Sequence, residues 1–294
     1  MREIEMVVPD DNGFPGTLVL PDGPGPHPAA LLLWAGRADR DGDLRAGALG
    51  LGGAIAGALA GAGVASFRYD RRCGSDEAWR ALGFYDHRAT ARAALGALAE
   101  HPEVGPVGVL GHSEGALHAA GLAADDPRVC AAVLLACPAR TGKQVYLDSA
   151  RHWTPADLPR AQRLRNRLLR RTPEDQVRRT VSRAEAGDPR VSKLLREYVR
   201  HDPRDDLARI TVPVLALTGE KDITIPQADL ATITSLVPAP VRAHRVPDLT
   251  HLLRRDPGTP TREDFRRQLS EPVDGEVLAD VAEWVANALS PAVR

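Results

Sequence analysis

The stretch Val107-Gly108-Val109-Leu110-Gly111-His112-Ser113-Glu114-Gly115-Ala116 contains the signals of three successive structural elements. An apolar run ends at a Gly-x-Ser-x-Gly pentad, and an alanine-rich segment follows directly. This order predicts a strand, a tight turn and a helix. A serine on such a turn is held in a strained conformation that small neighbours allow, with its hydroxyl beside the positive end of the helix. The stretch therefore makes Ser113 a candidate nucleophile in an α/β fold.

Alternating strand and helix signals surround this stretch, which predicts a mostly parallel central sheet with helices on both faces. An opening hairpin with its turn at Asp11-Asn12-Gly13 precedes them. The predicted strands are 4–8, 16–20, 29–34, 64–69, 107–110, 129–136, 212–218 and 241–246. The predicted helices are 49–62, 87–100, 116–124, 227–236 and 277–289.

The segment from Ala139 to Asp205 differs from the rest of the chain. It holds 17 Lys and Arg against 9 Asp and Glu, and it contains no apolar run typical of a strand. Apolar residues recur in it at helical spacing: Leu164, Leu168, Leu169, Leu194, Leu195 and Tyr198. We therefore expect a helical cap at 139–205, inserted into one core domain formed by 1–138 and 206–294.

Composition sets limits on the functions to consider. The net charge of the 294-residue chain is −1, so no overall field draws it to nucleic acid or to a membrane. No apolar run is long enough to span a bilayer, and the acidic N-terminus does not resemble a secretory signal, so a cytoplasmic protein is expected. Cys130 and Cys137 flank a predicted buried strand and are expected in the core, whereas Cys73 lies apart. No zinc spacing occurs, and no metal or cofactor is expected.

A serine hydroxyl needs a base to take its proton and a third group to orient that base. Asp222 comes shortly after the 212–218 strand, and His251 follows the last strand. Such groups meet at the carboxyl edge of a parallel sheet. The order Ser113, Asp222, His251 therefore predicts a catalytic triad, with Asp248 as the rival acid.

These residues resemble the α/β-hydrolase family, in particular its esterase and dienelactone-hydrolase-like branch. Asp39-Arg40-Asp41 and Arg68-Tyr69-Asp70 match parts of two loops of that branch. We expect Asp70 and Arg68 to fix these loops by hydrogen bonds. The first loop departs from the branch at Trp34-Ala35 and Arg37, and the second at Cys73.

The resemblance implies an oxyanion hole made of backbone N–H groups. One donor would be Glu114, directly after the nucleophile, and the other Ala35, with Gly36 as the alternative. The Glu114 side chain either lines the pocket or pairs with an arginine. Trp34, Arg37 and His112 are the expected pocket residues.

The sequence thus predicts a serine hydrolase that cleaves a carboxylic ester or thioester through an acyl-enzyme. Two alternatives remain open: a biosynthetic thioesterase, acyltransferase or cyclase with the same triad, and a non-catalytic binding protein of this fold. The partner is expected to be a small acyl ester or thioester. The basic cap is either a solvated surface or a lid that attracts an acidic carrier protein or a phosphorylated thiol cofactor.

Overall fold

The computed structural model describes residues 1–11, 13–43, 47–71 and 76–290, and an eight-stranded sheet forms its centre. The strands follow the order β1-β2-β4-β3-β5-β6-β7-β8 across the sheet. Strands β4, β3 and β5 to β8 are parallel, while β1 and β2 form an antiparallel hairpin that pairs with β4. The strands are β1 (Arg2–Val7), β2 (Pro15–Leu20), β3 (His27–Leu33), β4 (Ala65–Tyr69), β5 (Val104–His112), β6 (Val129–Leu135), β7 (Val214–Gly219) and β8 (Val241–Val246).

Helices lie on both sides of this sheet. Alternate residues of a strand point to opposite faces, so Leu31 and Leu32 of β3 join different apolar cores. The helices are α1 (Leu51–Gly61), α2 (Asp76–Ala81), α3 (Phe84–Ala99), α4 (Glu114–Asp125), α5 (Gly142–Ser149), α6 (Arg160–Leu168), α7 (Pro173–Glu185), α8 (Lys193–Tyr198), α9 (Arg204–Leu207), α10 (Ala228–Leu236), α11 (Phe265–Gln268) and α12 (Gly275–Leu289). Helices α1 and α12 pack on one face, and α3, α4 and α10 on the other.

The predicted fold class is confirmed by this architecture, but some local predictions were wrong. Cys137 is buried as expected, whereas Cys130 points outward from β6 and is exposed. The second residue of this strand faces away from the core because side chains alternate along it. Asn12 of the predicted turn and Cys73 lie outside the described residues. Within those residues, no helix has the length and hydropathy needed to cross a membrane.

The segment between β6 and β7 contains helices α5 to α9 and two short 3₁₀ turns at 150–152 and 155–157. Its helices share a small apolar cluster that includes Val177, Val181 and Ala184. Leu194 and Tyr198 are buried as their spacing suggests, but three leucines of the α6 region are exposed: Leu164, Leu168 and Leu169. The spacing therefore predicted a helix here, but these three leucines stay largely exposed among the described residues.

The order of the strands brings distant loops to one edge. The chain order reverses between β3 and β5, which is where α/β sheets form their binding crevice. Leu33 at the end of β3 pairs with Gly111 of β5, so the loops that follow these two strands begin side by side at one edge of the sheet. Gly219 of β7 likewise pairs with Val246 of β8.

Candidate active site

Ser113 occupies a strained turn between β5 and α4. Its backbone angles are φ 57° and ψ −121°, a conformation that side-chain-bearing residues rarely adopt. Its N–H donates to the Leu135 carbonyl of the neighbouring strand at 2.9 Å, which fixes the turn to the sheet. Residues held in this way concentrate at functional sites.

Close backbone contacts leave no room for a Cβ at either glycine of the pentad. A Cβ at Gly111 would collide with the carbonyl of Gly115, and a Cβ at Gly115 would collide with the carbonyl of Leu33. The second contact also sets how closely α4 approaches the end of β3. The pentad therefore positions the serine and brings the two loops together.

Asp222 and His251 form a hydrogen-bonded pair at the same edge. His251 Nδ1 lies 2.8 Å from Asp222 Oδ2, and the Asp222 side chain has no solvent exposure. The other carboxylate oxygen accepts the N–H groups of Thr224 and Ile225 at 2.7 and 2.8 Å. Because a carboxylate accepts, the imidazole proton sits on Nδ1 and leaves Nε2 able to take a proton.

The rival acid, Asp248, has a different environment. Its carboxylate lies 3.8 Å from Lys221 Nζ and is 42% exposed. It occupies a turn of positive φ, and its carbonyl accepts the N–H of Asp256. Asp248 is therefore a loop residue, and the buried acid beside His251 is Asp222.

His112 supports the loop that carries His251. Its Nε2 lies 2.8 Å from the His251 carbonyl, so this nitrogen donates and carries the proton. Burial, reinforced by the nearby His251, lowers the pKa of His112 to about 3. His112 is thus a neutral hydrogen-bond donor that positions the adjacent loop.

The loop after β3 presents two candidate oxyanion donors. Ala35 lines the cavity at Ser113, and its N–H has no partner in the described chain. The N–H of Gly36 is instead 3.4 Å from Glu114 Oε2. Glu114 begins α4, where the first N–H groups have no partner within the helix.

The Glu114 side chain pairs with an arginine, one of its two expected roles. Its Oε1 lies 3.0 Å from Arg71 Nη2, and both side chains are largely buried. Arg71 also donates to the Trp34 carbonyl, and its own N–H binds the Ala38 carbonyl at 2.9 Å. Although burial opposes ionisation, Arg71 and His118 lower the pKa of Glu114 to about 2. Arg71 directly follows the Arg68-Tyr69-Asp70 loop, but the sequence did not identify it as the arginine that pairs with Glu114.

The loops that resemble the esterase branch are held by further ion pairs. Asp70 accepts the Arg40 backbone N–H at 2.7 Å and lies 3.0 Å from its guanidinium. Arg68 Nε donates to Asp41 at 3.1 Å. These contacts give Arg68 and Asp70 the loop-fixing role expected of them.

A cavity of about 510 Å³ adjoins Ser113, which we call the Ser113 cavity. His251 and two of the three predicted pocket residues, Trp34 and His112, line it. Arg37 is absent from the described lining, and its guanidinium lies over the Trp79 ring at 5.7 Å. No hydrogen bond among the described residues joins the Ser113 hydroxyl to His251, and such bonds often form only with substrate bound.

Much of the cavity wall comes from residues that sequence analysis did not single out. Phe265 of α11 and Leu269 directly after this helix contribute, as do Ala156 and Asp157 of the helical segment. The Asp157 carboxylate is 3.1 Å from Arg262 Nε. The i, i+4 spacing of Phe265 and Leu269 in a polar stretch is the signal that could have identified their helix.

The sheet order, the elbow at Ser113 and the Asp222–His251 pair are those of an α/β-hydrolase. The chain belongs to the hydrolase family described as serine aminopeptidase S33, whose model matches residues 49–258. It is 25% identical over 278 residues to the esterase EstD of Thermotoga maritima. The match covers 93% of this chain and 66% of EstD, so the chain spans just under two thirds of that relative.

Solved structures share the fold. Est1E from Butyrivibrio proteoclasticus superposes with a TM-score of 0.62 and 16% identity, covering 98% of this chain and 99% of Est1E. The Pyrococcus furiosus esterase Pf2001 gives a TM-score of 0.64 and 15% identity, covering 98% and 91% of the two chains. At these identities the similarity establishes the fold alone.

Proposed function

We propose that this chain is a serine hydrolase that cleaves carboxylic esters through an acyl-enzyme. The observation that carries the proposal is the buried 2.8 Å contact between His251 Nδ1 and Asp222, beside a cavity that also contains Ser113. The named activity of EstD, an esterase, supports the same substrate class.

In this mechanism Ser113 Oγ attacks the ester carbonyl while His251 Nε2 takes its proton. Asp222 holds the imidazole in the required tautomer and stabilises its charged form. The N–H groups of Glu114 and Ala35 stabilise the oxyanion, and we favour Ala35 over Gly36 because the Gly36 N–H faces the Glu114 carboxylate. His251 then protonates the leaving alcohol, and water releases the acid.

The segment 139–205 is proposed as a cap over this site. Ala156 and Asp157 of the segment line the cavity at Ser113, as residues of a cap would. A thioester is the second candidate substrate, since five arginines of the segment line a cleft that suits an anionic leaving group. A small acyl ester or thioester is therefore the proposed partner.

Steady-state hydrolysis of matched substrates tests the proposal. Wild-type protein and Ser113→Ala are compared on p-nitrophenyl butyrate, a butyryl thioester and an aminoacyl p-nitroanilide. We expect turnover of the ester, reduced at least about 1,000-fold in S113A. Turnover of the anilide alone would assign a peptidase. Equal background rates in both proteins on every substrate would favour the binding-protein alternative.

A further inference from the structure

A second cavity adjoins the Ser113 cavity inside the helical segment. It measures about 290 Å³, and we call it the inner cavity. Its wall is mostly apolar and includes Trp153, Leu158, Val177 and Val181. Asp157 lines both cavities, so the two cavities are neighbours.

The inner cavity in turn adjoins a cleft between α6 and α7, which we call the arginine cleft. Gln176 and Thr180 of α7 line both spaces. The cleft is about 520 Å³ in volume, and one carboxylate, Asp175, faces its five guanidinium groups. The arginines that line it are Arg165, Arg171, Arg178, Arg179 and Arg183.

The charge of this cleft is only partly compensated. Arg178 pairs with Glu174 at 2.6 Å, and Arg183 pairs with Asp188 at 2.8 Å. Within the described residues no ion pair or hydrogen bond engages the guanidinium groups of Arg165, Arg171 or Arg179. Asp175 is the carboxylate of this lining; hydrogen bonds from Thr172 at 2.9 Å lower its pKa, and the charges of Arg179 and Arg171 lower it further. One carboxylate cannot balance three guanidinium groups, so the lining keeps a net positive charge that favours an anion, and phosphate suits it best.

The Ser113 cavity, the inner cavity and the arginine cleft follow one another, and their linings differ in chemistry. A reactive serine lies at one end, an apolar space in the middle and a cationic cleft at the other end. Among the residues that the structure describes, no aromatic side chain lines the arginine cleft, so the stacking platform typical of single-stranded nucleic acid binding is missing from this lining. A long thiol arm that ends in phosphate groups matches the series in order and in charge.

We propose that the substrate is an acyl thioester whose thiol is a phosphorylated pantetheine, as in coenzyme A, with its phosphates in the arginine cleft. The proposal rests on the proposed acyl-enzyme chemistry of Ser113 and names the leaving group of its second candidate substrate, the thioester. Ser113 Oγ forms an ester with the acyl carbon while the carbon–sulfur bond breaks. The sulfur leaves as a thiol with the proton that His251 took from Ser113, and water then releases the carboxylic acid.

A substrate series tests this assignment. Hydrolysis of butyryl-coenzyme A is compared with that of butyryl-pantetheine, which has the same arm and thioester without phosphates, and of p-nitrophenyl butyrate. We expect the KM of the coenzyme A thioester to be about tenfold lower than that of the pantetheine thioester. The double variant Arg171→Gln/Arg179→Gln should remove this difference and leave the kinetics of the other two substrates unchanged.

Arg151→Gln is the matched control, because Arg151 is a 70% exposed arginine of the same segment that is absent from the cleft lining. Equal KM values for the two thioesters in the wild type would overturn the proposal. The same would follow if R151Q raised the KM as much as the double variant. Ester hydrolysis without any thioester hydrolysis would overturn it too, while leaving the proposed function intact.

A binding measurement makes the inference independent of catalysis. Isothermal titration of Ser113→Ala with free coenzyme A should show binding that weakens about tenfold or more when R171Q and R179Q are added. It should also weaken with added salt, because exposed charges are screened. Absence of binding in S113A would contradict the cleft assignment, even for an active esterase. Binding with no turnover of any substrate would instead count against the proposed function.

Discussion

The Glu114 carboxylate lies 3.0 Å from the Arg71 guanidinium, and this buried ion pair joins the two loops proposed to hold the oxyanion. Glu114 directly follows the nucleophile, and Arg71 binds the carbonyl of Trp34 at the start of the other loop. The relative position of the Glu114 and Ala35 N–H groups therefore depends on this contact. The pair has a second role in stability, because each charge is buried against the other.

Glu114→Gln keeps the backbone donor and the side-chain shape but removes the negative charge. The free energy of unfolding should fall by about 3 kcal/mol, since the Arg71 guanidinium is left buried without its counter-charge. We also expect kcat on p-nitrophenyl butyrate to fall about 10- to 100-fold, less than the loss of a whole oxyanion donor. Urea denaturation and steady-state kinetics measure the two effects.

The double variant Arg71→Met/Glu114→Gln separates these roles. Removing both charges should restore most of the stability that E114Q loses, because no unpaired charge stays buried. It should not restore kcat, because the link between the loops is still missing. Full recovery of kcat in the double variant would show that the pair has no role in positioning the oxyanion donors.

Asp222→Asn tests the assignment of the acid. An asparagine side chain can present its N–H₂ group to His251 Nδ1 and so favour the wrong tautomer of the imidazole. We expect kcat to fall by about 10,000-fold, with a small change in KM. Asp248→Asn is the matched control on the neighbouring turn and should change kcat less than twofold. A larger loss in D248N than in D222N would reverse the assignment.

Stability should depend on pH through the buried histidines. Burial lowers the pKa of His118 and His201 to about 4, that of His112 to about 3 and that of His87 to about 2. Below pH 6.5 the unfolded chain binds protons that the folded chain excludes, so acid favours unfolding. Each of these histidines contributes about 2 kcal/mol between pH 7 and pH 5, so the free energy of unfolding should fall by roughly 5 to 7 kcal/mol over this range.

His118→Phe removes one of these titrations and keeps an aromatic ring against Phe84, whose centre is 4.5 Å away. In this variant the chain takes up about one proton fewer when it unfolds in acid, so the free energy of unfolding should depend less steeply on pH. Denaturation midpoints that stay constant from pH 7 to pH 5 in the wild type would contradict the account.

The fold could be predicted from the sequence because its signals are local. Each strand is a short apolar run, and Gly111 and Gly115 mark a turn whose backbone contacts exclude larger residues. The order Ser113, Asp222, His251 identified the residues that the sheet brings to one edge. The contact between His251 and Asp222 follows from two adjacent strands, β7 and β8.

Other parts of the site depend on contacts that no local pattern encodes. Arg71 and Glu114 are 43 residues apart, and although Arg71 directly follows Arg68-Tyr69-Asp70, no local pattern identifies its partner. The position of Arg37 in its loop predicts a pocket residue, but its guanidinium lies over the ring of Trp79 in α2, a helix without a clear sequence signal. The cavity wall at Phe265 and Leu269 comes from a short helix in a polar stretch, where hydrophobic periodicity is weak.

Covalent labelling tests directly whether Ser113 is the nucleophile. The protein is treated with a fluorophosphonate, digested and examined by mass spectrometry, with S113A and D248N treated in parallel. We expect one adduct on the peptide that contains Ser113, present in D248N and absent in S113A. Lack of any adduct on Ser113, under conditions that label a control esterase, would contradict this assignment.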